Sequence, residues 1–211
     1  MNKNVYSVIL SNHVVEQLDK LAYQQGRSRS AMIEAIIAQH LSISTPEARI
    51  VATLTALSDL FAPGYKVSYR PPAASLVMKN RLRFKYNPTI QYTVSLRSAD
   101  TDAQGCVSIQ VRTQSEELIA CLGHVYDIVN DIHHAGQVTH APGEARMMLA
   151  MPVDISSAKG AAGALYTQVI GIDRAMTAYF GRYPDLTEAK QAAATAYKAA
   201  IDSYLLKEES A

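Results

Sequence analysis

The sequence predicts an α+β protein in which a small N-terminal strand–helix–helix module precedes a larger domain with an antiparallel sheet and C-terminal helices. Three observations predict it. A β-rich run and two helical segments separated by Gly26 occupy roughly the first 42 residues. Apolar and polar positions alternate through much of residues 65–112. Three capped helical stripes account for most of residues 114–211. With 211 residues, the chain can build one substantial core plus a smaller module. Its 48% apolar and 18% charged content is that of an ordinary globular protein, not a disordered one.

In the N-terminal module, Val5 to Ser11 reads VYSVILS. Tyr6, Val8 and Leu10 fall on one side of the strand, and Lys3, Val5, Ser7 and Ile9 on the other. Ser11 or Asn12 caps a helix carrying Val14, Leu18, Leu21 and Ala22, and Gly26 supplies its left-handed stop. Ser28 caps a second helix carrying Ile33, Ile36, Ile37 and Leu41. About forty residues cannot bury all these apolar faces alone, and a lone strand has two unpaired edges. Both problems vanish if two chains pair their strands antiparallel and interlock their helices.

The run V-I-L-S-N-H-V-V-E-Q-L-D-K-L-A-Y-Q-Q-G-R-S-R-S-A-M-I resembles the CopG type of ribbon-helix-helix protein, over about a fifth of the chain. The features that match are the strand, L-D-K-L-A, Gly26 and S-R-S-A-M-I, in that order and spacing. The resemblance implies a homodimer that lays a two-stranded ribbon in the major groove of double-stranded DNA. It implies base contacts from Lys3, Val5, Ser7 and Ile9, and phosphate contacts from Arg27, Ser28, Arg29 and Ser30 at the start of the second helix. Polar residues are usual at such groove-facing positions. Val5 and Ile9 depart from this and would pack on thymine methyls, or mark a module that only dimerises.

The domains expected are residues 1–43 for DNA binding and dimerisation, a connecting helix over 44–63, and an α+β regulatory or oligomerisation domain over 64–211. Ser44-Thr45-Pro46-Glu47 starts the connecting helix, which carries Ile50, Leu54, Leu57 and Phe61 and stops at Pro63-Gly64. In the larger domain, strands are expected at 81–86 (Leu82, Phe84, Tyr86), at 90–97 (Ile90, Tyr92, Val94, Leu96) and at 107–112 (Val107, Ile109, Val111). Asp100 to Gly105 reads as a polar loop, and Tyr65–Tyr69 can add a fourth strand. The polar sheet face would gather Arg83, Lys85, Arg97 and Arg112, a solvated face or a contact for phosphate. Ser115 caps a helix with the stripe Leu118, Cys121, Leu122, Val125, Ile128, Val129 and Ile132. Residues 135–153 read as an irregular connection. Ser156-Ser157 and Asp185 then start two helices of an antiparallel hairpin, the first made slim by Gly160, Ala161, Ala164 and Gly171.

Charge is uneven. Residues 44–113 hold nine Lys/Arg against four Asp/Glu, and residues 114–211 hold seven against twelve. His124, Asp127, Asp131 and His134 share one face of the Ser115-capped helix, with His140 just beyond. They read as a solvated face, because the His-x-His and downstream Cys pattern of nickel-responsive regulators is missing, so no metal or other cofactor is expected. Cys106 and Cys121 lack metal-ligand spacing and read as buried reduced thiols. No phosphate loop, dinucleotide fingerprint or nucleophile elbow is present, so no catalytic residue is assigned and an enzyme is not expected. No run spans a bilayer and no signal peptide is evident, which places the protein in the cytoplasm.

The function expected is a sequence-specific DNA-binding transcriptional regulator acting as a repressor, with an unknown effector possible on the larger domain. Two alternatives stay open. One is a DNA-structuring accessory factor of plasmid transfer or partition, and the other an antitoxin-like or purely protein-interaction dimer.

Overall fold

A computed structural model describes residues 5–41, 43–71, 73–99, 102–133 and 137–208. The chain runs α1 (Asn12–Gln24), α2 (Arg29–His40), α3 (Pro46–Phe61), β1 (Lys66–Ser68), β2 (Ser75–Arg81), β3 (Thr89–Ala99), β4 (Asp102–Val111), α4 (Glu116–Ile132), β5 (Gln137–His140), β6 (Arg146–Asp154), α5 (Ala158–Arg182) and α6 (Leu186–Glu208). The fold is α+β, a small N-terminal helical module on a larger sheet-and-helix body. Among the described residues no helix is long and apolar enough to cross a membrane.

The six strands form one antiparallel sheet in the order β1-β2-β3-β4-β6-β5. Strict alternation gives it one apolar face. Leu76, Met78, Tyr92, Val94, Val107, Ile109, Met147 and Leu149 are all fully buried there. Against this face pack Leu54, Leu57 and Phe61 of α3, Leu122 and Val125 of α4, and Leu165, Val169 and Ile172 of α5, in one continuous core. Helix α6 lies on α5 and α4, burying Ala189, Ala193 and Tyr197. The small residue at Gly171 admits Tyr197, whose ring would lie only 3.1 Å from a Cβ there. Thus α5 roofs the sheet, and α6 covers α5.

The caps agree with their sequence signals. Ser28, Thr45, Ser115 and Ser157 each accept a hydrogen bond from the backbone N–H three residues on, and Asp185 accepts from Glu188 in the same way. Ser11 takes the N-cap position of α1 without a side-chain bond. Gly26 has φ +61°, the left-handed conformation that ends α1.

Several expectations are corrected. Helix α3, expected as the connecting helix, also sends its apolar stripe (Ile50, Leu54, Leu57, Phe61) into the main core. The strand expected at 81–86 lies earlier, at Ser75–Arg81. Residues 82–88 form a tight loop in which Tyr86 and Asn87 have positive φ and Leu82 N–H donates to the Pro88 carbonyl. The alternation there is coincidental: Leu82 enters the core, Phe84 packs on Phe180 at 5.2 Å, and Tyr86 is fully exposed. Of the expected polar loop 100–105, residues 102–105 belong to β4, and residues 100 and 101 lie outside the described residues.

Residues 137–140 and 146–154, expected as irregular, are the strands of a hairpin turned at Pro142-Gly143. Pro and Gly do mark a turn there, but the irregularity does not extend into its flanks. Cys106 is half-buried on the open face, whereas Cys121 is buried as expected. Of the four expected sheet-face cations, Arg83 and Lys85 sit in the 82–88 loop, and Lys85 pairs with Glu117 at 2.8 Å. His134 lies outside the described residues. His124 Nδ1 meets the Tyr179 hydroxyl at 2.8 Å, and His140 Nε2 meets Asp127 at 3.0 Å.

Gly105 sits at a close approach within the core. A Cβ there would stand 2.7 Å from the Val153 methyl and 3.4 Å from Leu165. Valine is stiff at χ1 and cannot swing away. Gly105→Ala is therefore expected to cost about 1–3 kcal/mol by overpacking, read as a lower urea midpoint with unchanged slope. An unchanged midpoint would show that β4 and β6 part freely there.

Candidate nucleic-acid interface

The N-terminal module cannot be self-sufficient. Its internal core consists of Leu18, Ala22 and Met32, with Ile33 and Ala35 against them. The rest of its apolar surface is open. Val14 is 47% exposed, Ile37 52% and Leu41 58%, although all lie on the stripes the sequence marks for burial. Helices α1 and α2 pack on each other and leave these stripes facing outward together. This apolar excess is what a second copy of the same helices would cover.

Residues 5–11 have no strand partner among the described residues. Val5 and Ile9 are essentially fully exposed, and Tyr6 and Val8 mostly so, whereas Leu10 is partly covered. Their backbone donors and acceptors are available for pairing with another strand. Ser7 is exposed between Val5 and Ile9. The fourth expected base-contacting residue, Lys3, lies outside the described residues.

The expected phosphate-contacting group is only partly free. Ser28 caps α2 by accepting the Ala31 N–H at 3.2 Å, and the first-turn amides of Arg29 and Ser30 have no acceptor in the helical pattern. Arg29 is held by Asp19 of α1 through two bonds of 2.6 Å, a fork-to-carboxylate pair with both side chains largely exposed. The guanidinium hydrogen bond holds the Asp19 carboxyl below the usual carboxylate range, and the same bond raises Arg29 further. Arg27 is half-buried and lines a hollow of about 330 Å³ between α2 and α3, together with Glu34 and Thr45.

Sequence reasoning missed the role of Asp19. Its spacing from Arg29 carries no motif, and only the folding of α1 against α2 brings the two together. Ser7 and the start of α2 are both exposed.

Residues 7–43 match the family model described as ribbon-helix-helix protein, copG family. No curated protein and no solved structure matches the chain.

Proposed function

Starting from a ribbon-helix-helix module at residues 7–43 joined to an α+β body, we propose that the protein is a dimeric DNA-binding transcriptional regulator acting in the cytoplasm as a repressor. The observation that carries this is the exposed segment 5–10, without a strand partner among the described residues, ahead of a helix pair whose core cluster is Leu18, Ala22 and Met32. Two such segments pair into an antiparallel ribbon narrow enough for the major groove. Ser7 then donates to or accepts from a base edge, and Val5 and Ile9 pack on thymine methyls. The start of α2 sets the register by offering its first-turn amides and Ser28 and Ser30 to a phosphate. The body is not an enzyme in this reading. It regulates ribbon dimers or joins them, raising the effective concentration of neighbouring modules on DNA.

The test is selection of bound duplexes from random-sequence DNA by the intact protein. Enrichment of a short motif in inverted or tandem half-sites is expected, and its absence at low salt would remove the reading. Ser7→Ala is expected to change the selected motif more than the total affinity. The exposed apolar pair Val5 and Ile9 also suits a second reading, a dimerisation device that binds protein. Salt separates the two, because phosphate-dominated binding weakens steeply with added KCl.

Arg29 must leave Asp19, or share it, to reach a phosphate. Arg29→Ala is expected to weaken binding to all duplexes alike and to reduce the slope of log K against log[KCl] by about 0.9 per phosphate lost. Asp19→Asn releases the guanidinium and removes an acid near DNA, so affinity should rise severalfold at 100 mM KCl. If both variants bind as the wild type in a fluorescence titration, the start of α2 does not touch DNA.

A further inference from the structure

The body turns its helices to one face of the sheet, the other is uncovered among the described residues, and cations collect at one end of that open face. The strand register places Lys66 of β1 opposite Lys79 of β2, Lys79 opposite Gln91, Gln91 opposite Gln110, and Gln110 opposite Arg146. Residues directly opposite in an antiparallel sheet point to the same face. One row across five strands therefore reads Lys-Lys-Gln-Gln-Arg. Arg81 and Arg112, each two residues beyond that row, extend the charge on the same side. All five cations are exposed, and none pairs with a carboxylate among the described residues.

The acids nearest in the chain, Glu144 before Arg146 and Glu116 after Arg112, line a hollow beside α4 and do not pair with these cations. The described carboxylate on the open face, Asp154, lies eight residues along β6 from Arg146, roughly 27 Å at strand spacing, and is engaged by Ser156. Glu144 lines a different hollow, with His124 and Asp127 of α4. The acidic part of the chain, residues 114–211, forms most of the helical layer on the other side of the sheet. The body is thus polarised, with positive charge on the open face and negative charge on the helices.

We propose that this cationic end of the uncovered sheet face is a second, sequence-independent seat for duplex DNA, holding phosphates through Lys66, Lys79, Arg81, Arg112 and Arg146. The proposal rests on the DNA-binding reading of the N-terminal module. Three features fit this occupant. The cations span four strand separations, about 19 Å, so one small anion cannot touch them all, whereas duplex DNA carries a charge every 1.7 Å or so along its axis. Between them lies a hollow of about 360 Å³ lined by Thr89, Gln91 and Gln110 with Lys79 and Arg112. Its lining lacks the apolar wall of a small-molecule site and offers donors and acceptors to a sugar-phosphate backbone. The seat also lies apart from the module. Ala74, beside the start of β2, borders the α2–α3 hollow, and Lys79 and Arg81 lie roughly 17–24 Å further along that strand. A duplex longer than the ribbon site, or a second duplex, is what both could hold at once.

The experiment titrates the intact protein into a labelled 40-base-pair duplex of mixed sequence between 50 and 300 mM KCl. Three proteins are compared: wild type, the triple variant Lys79→Gln, Arg112→Gln, Arg146→Gln, and a control with Lys159, Lys190 and Lys198 changed to Gln on the helical layer. The triple variant is expected to lose at least tenfold in affinity at 100 mM KCl, and its log–log salt slope should fall by about 2 or more. The control should keep the wild-type slope. Lys79→Gln alone, an exposed change that leaves the core intact, should lower the slope by up to about 0.9. An unchanged slope in the triple variant, with Arg29→Ala still lowering it, overturns the sheet seat and leaves the ribbon reading standing. A lowered slope in the triple variant, with Arg29→Ala and Ser7→Ala both silent, supports the seat and removes the ribbon reading. If the triple variant changes the mass of the DNA-free protein instead of its salt slope, the face is an interface between copies and the proposal fails.

Discussion

Val8→Pro is expected to abolish dimerisation of the N-terminal module and, with it, DNA binding. Segment 5–10 has no strand partner among the described residues, and Val8 is 71% exposed there. In an antiparallel ribbon its φ must lie near the extended value, about −140°, whereas proline holds φ near −65° and donates no N–H. Two-fold symmetry inserts the defect twice into a ribbon of only a few residues per strand. At about 1–3 kcal/mol for each buried group left unpaired, the dimer loses roughly 2–6 kcal/mol, a thirtyfold or larger weakening. Removing the dimer also uncovers Val14, Ile37 and Leu41. Sedimentation equilibrium of the full chain at micromolar concentration, with a gel-shift titration alongside, reads both effects. A variant that stays dimeric and still shifts DNA would show that the strand is not the dimer contact.

Leu57→Ala is expected to cost about 2–5 kcal/mol in the unfolding of the body. Leu57 is fully buried on α3, in one core with the sheet and α5. For a domain of this size that loss lowers Tm by roughly 5–20 °C. Had α3 been a solvated connector between two domains, the same truncation would cost less than about 0.5 kcal/mol. Calorimetry of the full chain separates the two, and a loss that small would return α3 to the linker role. A corollary concerns truncation: a fragment beginning at residue 64 lacks Leu54, Leu57 and Phe61 from its core, so the body to study alone begins before Pro46.

At the candidate interface, local signals were legible because capping and left-handed stops depend on residues within one turn of each other. Ser28 and Gly26 are of this kind, whereas the β-rich run 5–11 is not a strand in the single chain. The Arg29–Asp19 pair was not legible, since it depends on how two helices pack. The cationic row was invisible for a related reason. Reading Lys66, Lys79, Gln91, Gln110 and Arg146 as neighbours needs the position of β2, the existence of β6 and the register of five strands. Sequence alternation pointed to Arg97 and Arg112, which do lie on the open face, but also to Arg83 and Lys85, which belong to a loop.

By itself the sequence determined what short-range physics controls. The two helices on either side of Gly26, the caps at Ser28, Thr45, Ser115 and Ser157, the alternating strands β3 and β4, and the slim face of α5 around Gly171 all follow from periodicities of 2 and 3.6 and from side chains bonding nearby amides. Only the tertiary structure decided that α3 belongs to the body, that β6 inserts between β4 and β5, and that one face of the sheet stays bare. Burial creates these features: an apolar stripe shows that a segment must be covered, but not by what. The partner is chosen by which faces fit together at close-packed density, and that choice is made between residues far apart in the chain.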